Sequence, residues 1–215
     1  NGITCSNGRM VKVNKGKWDK SNGDKNDMIF HNEWLKRCKK LLKPNGTIAV
    51  STTHHSLFNI GKALSELNFK FLNNITWQKP NPPPNLSCRY LTHSTENILW
   101  FAKNNKAKWK FNYDDMKDFN NGKQLKDVWT ILSCKKNEKK FGKHPTQKPI
   151  SLIKRLILAS TEEGDIVLDP FLGSGTTAVA AINLKRKFYG IEIDKDYLKL
   201  AKKRINQAIK ENISN

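Results

Sequence analysis

An α/β fold, with a mostly parallel sheet and helices on both faces, follows from three features of the sequence. Apolar strand-like runs alternate with longer amphipathic ones. One such run, Ile166-Val-Leu168, ends on Asp169, turns on Gly173 and Gly175, and opens a helix at Thr176. A second, Lys187 to Ile193, carries Glu192 near its end. A strand that ends in an acidic residue, turns on glycines and starts a helix is how an α/β sheet presents a nucleotide-like ligand.

Residues 1–28, rich in Gly, Asn, Lys and Asp, show little periodicity and are expected to form a mobile loop. A helix follows over 29–42 and is stopped by Lys43-Pro-Asn-Gly46. Thr47 to Ser51 is apolar and β-branched, as a buried strand is. A helix over 57–67 leads to strands over 69–78 and 97–102. Between them, Lys79-Pro-Asn-Pro-Pro-Pro-Asn85 excludes regular structure. Residues 103–143 are polar, basic and aromatic, and read as an inserted recognition region. A helix over 150–160, a strand over 165–168, a helix over 176–184, the strand over 187–193 and a last helix from Tyr197 complete the chain. Residues 1–102 and 144–215 would then be two halves of one domain.

The 215 residues suffice for one such domain with a sizeable core. Lys and Arg number 39 against 19 acidic residues, so the formal charge is +20 and the isoelectric point near 9.9. That balance suits a polyanionic partner such as nucleic acid, although an AT-rich genome also enriches Lys and Asn. Distribution adds weight. Lys135, Lys136, Lys139, Lys140, Lys143 and Lys148 crowd one segment; Lys103, Lys106, Lys108 and Lys110 interleave with Trp109 and Phe111 in another. Such segments neutralise phosphates and offer stacking faces. Lys36, Arg37, Lys39, Lys40 and Lys43 are expected on the solvated face of the first helix.

Cys5, Cys38, Cys88 and Cys134 are too scattered for a metal site and are expected as free thiols. His54, His55 and His93 likewise lack a ligand pattern. No apolar stretch reaches the length of a membrane span and no signal peptide opens the chain, so a cytoplasmic protein is expected.

The glycine turn is neither of the common phosphate motifs. A P-loop needs Lys where Thr176 stands, and the dinucleotide fingerprint needs a third Gly where Ala178 stands. Instead, Asp169-Pro-Phe-x-Gly-Ser-Gly-Thr-Thr177, preceded by His144-Pro-Thr-Gln-Lys-Pro149, resembles the S-adenosylmethionine-dependent amino-methyltransferases of DNA, in the permuted β group whose cofactor half comes last. The resemblance implies a Rossmann-like methyltransferase fold. It also implies that Asp169, Phe171, Gly173, Ser174, Gly175, Thr176 and Glu192 hold the cofactor, with Lys148 pairing its carboxylate and His144 structural.

In the family resembled, an Asp-Pro-Pro-Tyr or Ser-Pro-Pro-Trp tetrad receives a base rotated out of the duplex. No such tetrad occurs here. Pro82-Pro83-Pro84 lacks both the preceding acid and the following aromatic. The catalytic residues are therefore expected before Asn1, and this polypeptide alone is expected to bind cofactor weakly and not to methylate. Residues 77–100 resemble the family's segment beside the base pocket. Asn81, Asn85 and Arg89 are candidate DNA contacts there, with Lys123, Lys139 and Lys140 from the basic region, while Trp77 and Trp100 are expected in the core.

Residues 15–19, 73–90 and 122–129 resemble the adenine methyltransferases of the DpnA type, which modify the adenine of GATC and accept single-stranded DNA. The function implied is N6-adenine methylation of double-stranded and also single-stranded DNA in a restriction-modification system, with a homodimer one open state. An N4-cytosine methyltransferase and a non-catalytic DNA-binding protein of degenerate methyltransferase fold are the alternatives.

Overall fold

The computed structural model describes residues 2–4, 10–12, 21 and 23–213. The chain divides into two units, Asn1–Trp109 with Asp127–Thr130, and Lys110–Lys126 with Ile131–Asn215.

In the first unit, β1 (Gly2–Thr4) and β2 (Met10–Lys12) pair antiparallel, so the segment expected as a loop over 1–28 contains a strand pair. Helix α1 (Asp24–Leu41) also starts earlier than the expected Ile29. Asp24 and Asp27 lie in its first turn, where carboxylates meet the positive end of the helix dipole. Ser21 Oγ accepts from the Gly23 amide at 3.0 Å and donates to Asp27 at 2.5 Å, which fixes the approach to the helix.

Strand β3 (Thr47–Thr52), helix α2 (His54–Glu66), and strands β4 (Lys70–Gln78), β5 (Thr95–Ala102) and β6 (Val128–Thr130) follow. The strands form one sheet in the order β3-β5-β4-β6. β5 runs antiparallel to both β3 and β4, and β6 alone pairs parallel, with β4. β3, β4 and β6 thus run the same way, as a mostly parallel sheet requires, and β5 is the reversed strand among them, for a topological reason. The helical crossover through α2 sets β3 and β4 parallel. Residues 79–94 contain no helix, so β5 returns antiparallel and is inserted between them.

Helices α1 and α2 cover the sheet through Leu35, Ile60, Ala63 and Leu64, packed with Phe69, Leu99 and Phe101. Trp77 and Trp100 are buried, as expected. Lys39 departs from its expected place on the solvated face. Its Nζ donates to the carbonyls of Leu67 and Asn68 at the end of α2 and lies 4.9 Å from the centroid of the Phe69 ring.

In the second unit, α3 (Tyr113–Asp118), α4 (Ile150–Ser160), β7 (Ile166–Asp169), α5 (Thr176–Asn183), β8 (Lys187–Gly190) and α6 (Lys195–Ile213) succeed one another. β7 and β8 pair in parallel from Ile166 with Lys187 to Asp169 with Gly190, and α5 is their crossover. Ala178, Ala180 and Ala181 of α5 are fully buried, which lets α4, β8 and α6 close on a helix without bulk. β8 stops at Gly190, short of the expected Ile193. α6 starts before the expected Tyr197 because Asp194 Oδ1 accepts from the amides of Asp196 and Tyr197 at 2.9 and 3.1 Å.

Residues 103–143 are shared between the units. They supply β6 to the first, and α3 with a short 3-10 turn at Lys136–Lys139 to the second. Asn112 fastens the second contribution, since Nδ2 donates to the carbonyls of Leu158 and Thr161 at 2.7 and 2.8 Å and its amide donates to Ala159 at 3.0 Å. These are the carbonyls that the end of α4 leaves open.

Among the described residues, no helix is long and apolar enough to cross a membrane and no three potential ligands cluster around a metal site. Cys38, Cys88 and Cys134 are free thiols, and Cys5 lies outside the described residues.

Candidate functional site

The C-terminal ends of β7 and β8 lie side by side, so Asp169 and the Glu192 segment flank the glycine loop. Asp169 Oδ1 accepts from the Phe171 amide at 3.0 Å, and Oδ2 accepts from the Thr177 hydroxyl at 2.6 Å. Glu192 Oε2 accepts from the Gly173 amide at 2.6 Å, and Oε1 from the Asp194 amide at 2.8 Å. Each carboxylate oxygen keeps a further lone pair, so both groups brace the loop and still offer an acceptor to a ligand.

Three glycines are needed for distinct reasons. Gly173 and Gly175 have φ of +53° and +80°, the left-handed region that glycine adopts without a Cβ penalty. A Cβ on Gly190 would stand 2.7 Å from a Leu172 methyl carbon. With no side chain at residue 190, Leu172 folds over the end of β8 in its present position.

His144 packs on the same loop. Its Nε2 is 3.1 Å from where a Gly173 Cβ would be, and its ring meets Tyr197 edge-on at 4.2 Å between centroids. Burial holds its pKa below the ordinary value; Glu192 and Asp194 oppose the shift, and Lys148 adds to it. Lys148 Nζ lies 3.5 Å from the Thr146 carbonyl, in the segment that carries His144.

Ser174 and Thr176 are buried rather than turned outward. Their hydroxyls lie 3.3 Å apart, and both accept from Arg204 Nη1 of α6, at 2.9 and 3.0 Å. Burial lowers the Arg204 pKa, with Glu138 the main opposing charge. Outside the loop, Phe171, Ile191 and Ile193 expose apolar side chains, Ile193 almost completely at 93%.

The residues expected to contact DNA divide between the units. Asn81, Asn85 and Arg89 share the loop between β4 and β5. Asn81 and Arg89 are exposed, whereas the Asn85 amide is used within the loop. Its Nδ2 donates to the Tyr90 carbonyl at 2.5 Å, and its Oδ1 accepts from the Ser87 amide at 3.0 Å and hydroxyl at 2.8 Å. In the second unit Lys123 and Lys140 are exposed, Lys139 is half-buried, and Lys140 lies over the Phe141 ring.

A family model described as DNA methylase, covering N6 and N4 enzymes, matches residues 7–203. The chain belongs to the N6/N4 DNA methylase family. This methylase is 56% identical over 205 residues to the type II methyltransferase M2.DpnII of Streptococcus pneumoniae, covering 95% of this chain and 76% of that protein. It is 56% identical to M2.LlaDCHI of Lactococcus lactis subsp. cremoris, over 96% of this chain and 77% of that one. It is 50% identical to M2.MboI of Moraxella bovis, over 96% and 76%. Its structure resembles that of the M1.HpyAVI–SAM complex, with a TM-score of 0.73 and 40% identity over 86% of this chain and 85% of that one. The cytosine-N4-specific PvuII DNA methyltransferase, at 19% identity and a TM-score of 0.72, covers 93% of this chain and 82% of its own and shares the fold. The methylase therefore has the Rossmann-like methyltransferase fold expected from its sequence, and DNA is its substrate.

Sequence reasoning missed several residues that shape the methylase's loop. Arg204 gives no signal, because an arginine in an amphipathic basic helix reads as solvated. Tyr197 was visible only as the start of a helix. Asp194 could have been found, since an Asp just before a periodic run is a helix-start signature. The resemblance at residues 15–19 lies outside the described residues.

Proposed function

We propose that this methylase transfers a methyl group from S-adenosylmethionine to N6 of adenine in GATC, within a restriction-modification system. The observation that carries this reading is 56% identity over 95% of the chain to the type II methyltransferase M2.DpnII. The target sequence rests on the DpnA-type resemblance of residues 73–90 and 122–129. Double-stranded DNA is the substrate and single-stranded DNA is also accepted. The segment 103–143 contributes to target recognition through its basic and aromatic side chains, and a homodimer is the working oligomer.

Asp169, Gly173, Gly175 and Glu192 form the cofactor cradle, and the exposed faces of Phe171 and Ile193 suit the flat ring of a purine. Lys148 supplies a cation for a carboxylate. Ser174 and Thr176 hold the loop from its buried side. When bound, the cofactor would supply an electrophilic methyl on its sulfonium: the adenine N6 lone pair would form the N–CH3 bond as the S–CH3 bond breaks, its electron pair staying on sulfur in the thioether that leaves, and N6 would give up one proton to solvent. Asn81, Arg89, Lys123, Lys139 and Lys140 bind the DNA, and Asn85 shapes the loop that presents Arg89.

The test uses the protein expressed with every residue its gene encodes. Tritium from labelled cofactor should enter GATC-containing duplexes and be recovered, after hydrolysis, as N6-methyladenine. Recovery as N4-methylcytosine, equal labelling of duplexes lacking GATC, or no transfer overturns the proposal.

A further inference from the structure

Gly175 lies so close to α6 that a Cβ there would stand 3.0 Å from Ala201 Cβ and 3.1 Å from its Cα. The loop and the helix therefore touch backbone to backbone at a glycine and an alanine. Arg204, three residues after Ala201 on the same helix, lies on the same face one turn on and so comes beneath the loop. Its Nη1 donates to the Ser174 carbonyl at 2.7 Å, the Ser174 hydroxyl at 2.9 Å and the Thr176 hydroxyl at 3.0 Å.

We infer that Arg204 is the positioning residue of the glycine loop, fixing the curvature of residues 173–176 from the buried side so that the outer side is set to receive the cofactor. The inference rests on the proposed reading of this loop as the S-adenosylmethionine site.

Two observations separate this role from that of a general stabiliser. Arg204 is only 6% exposed, yet its Nη2 is buried and meets no acceptor among the described residues. A guanidinium buried with an unmatched donor is a costly way to fill space, and an apolar side chain of similar length would pack more cheaply. What the charge gains in exchange is directed. All three of its hydrogen bonds fall on the two residues flanking Gly175, where the chain turns from left-handed backbone into α5. Because Ser174 and Thr176 both accept from Nη1, their hydroxyls are held inward, and the loop presents backbone rather than side chain to the ligand.

The experiment compares the wild-type protein, expressed with all the residues of its gene, with R204K, R204M, T176V and S174A/T176V. Cofactor affinity is measured by calorimetry, steady-state KM and kcat at saturating DNA, and folding by thermal melting. R204M should raise the cofactor Kd and KM about tenfold or more, as expected for losing charge-assisted hydrogen bonds, while kcat stays within about twofold. R204K, which keeps a single-point donor, should fall between wild type and R204M. Replacing Arg204 in the S174A/T176V background should add less than it does in the wild type, because only the Ser174 carbonyl is left as an acceptor. A merely structural role would lower melting temperature and active fraction and leave KM unmoved, and that result overturns the inference. Full additivity in the combined variant also overturns it. If R204M does not accumulate folded, R204K and T176V decide the matter, since unchanged cofactor KM in both defeats the inference. A wild-type protein that binds no cofactor overturns the underlying reading of the loop, and the inference with it.

Discussion

Glu192 holds the Gly173 amide at 2.6 Å, so the segment after β8 is tied directly to the loop after β7. A carboxylate that could have served only a ligand also closes the site by binding its neighbour. E192A should therefore weaken cofactor binding by more than its direct contact, about tenfold or greater, because the loop amide also loses a charged acceptor. E192Q keeps one acceptor oxygen and should lose less. Calorimetric titration with S-adenosylmethionine checks both, and wild-type affinity in E192A would refute the bracing role.

Gly190 and Leu172 make a second prediction. The Cβ added by G190A would meet three Leu172 side-chain carbons between 2.7 and 3.1 Å, and although Gly190 itself is exposed, Leu172 is buried and must shift to admit it. Overpacking of this kind costs about 1–3 kcal/mol, to be read as a lowered melting temperature. L172A removes the obstructing atoms but leaves a cavity, so G190A/L172A should be more stable than the sum of the two losses predicts. Strict additivity would show that Leu172 moves aside freely.

Much of the second unit was legible in the sequence, because each of its elements is specified locally. Ile166 to Leu168 is an apolar run bounded by Asp165 and Asp169, and Gly173 and Gly175 mark the turn whatever surrounds them. The sheet of the first unit was not. Nothing within Asn97 to Ala102 states that the strand is inserted between β3 and β4; that follows from a loop too devoid of helix to cross over. At the site the same division holds. Asp169 and Glu192 were identifiable as strand-end acids, but that Ser174 and Thr176 point inward depends on Arg204, 30 residues from Ser174 along the chain.

Acidification should destabilise the fold through His144 and His31. Burial lowers both pKa values below the ordinary 6.5, against the raising effects of Glu192 and Asp194 on the first and of Asp27 on the second. A lowered histidine pKa means that the unfolded chain binds the proton more readily than the native one. Stability from this source is therefore complete above pH 6.5 and is lost as pH falls from 6.5 toward the native pKa. Urea melts at successive pH values should show this slope, flattened in H144N and H31N. An unchanged slope in the double variant would refute it.

Thiol chemistry should separate the cysteines. Burial, then the Glu138 charge, pushes the Cys134 thiol up to about 11, and its Sγ is engaged with the Gln147 carbonyl at 3.1 Å. Cys88 is exposed. At neutral pH iodoacetamide should modify Cys88 readily and Cys134 only on unfolding, since the thiolate is the reactive form. Mass spectrometry after timed labelling reads the order, and early modification of Cys134 would contradict it.

The hold of Asn112 on the end of α4 sets a rule for building chimeras of this enzyme. Residues 103–143, which we propose contribute to target recognition, are the stretch to exchange in testing target preference, yet they contain the side chain that matches the carbonyls of Leu158 and Thr161. A donor segment without asparagine at that point strips two partners from a helix it never appears to touch in the linear map. Grafts that retain Asn112 should tolerate the exchange, and breakpoints placed after it, toward the basic segment, keep the host's own fastening in place.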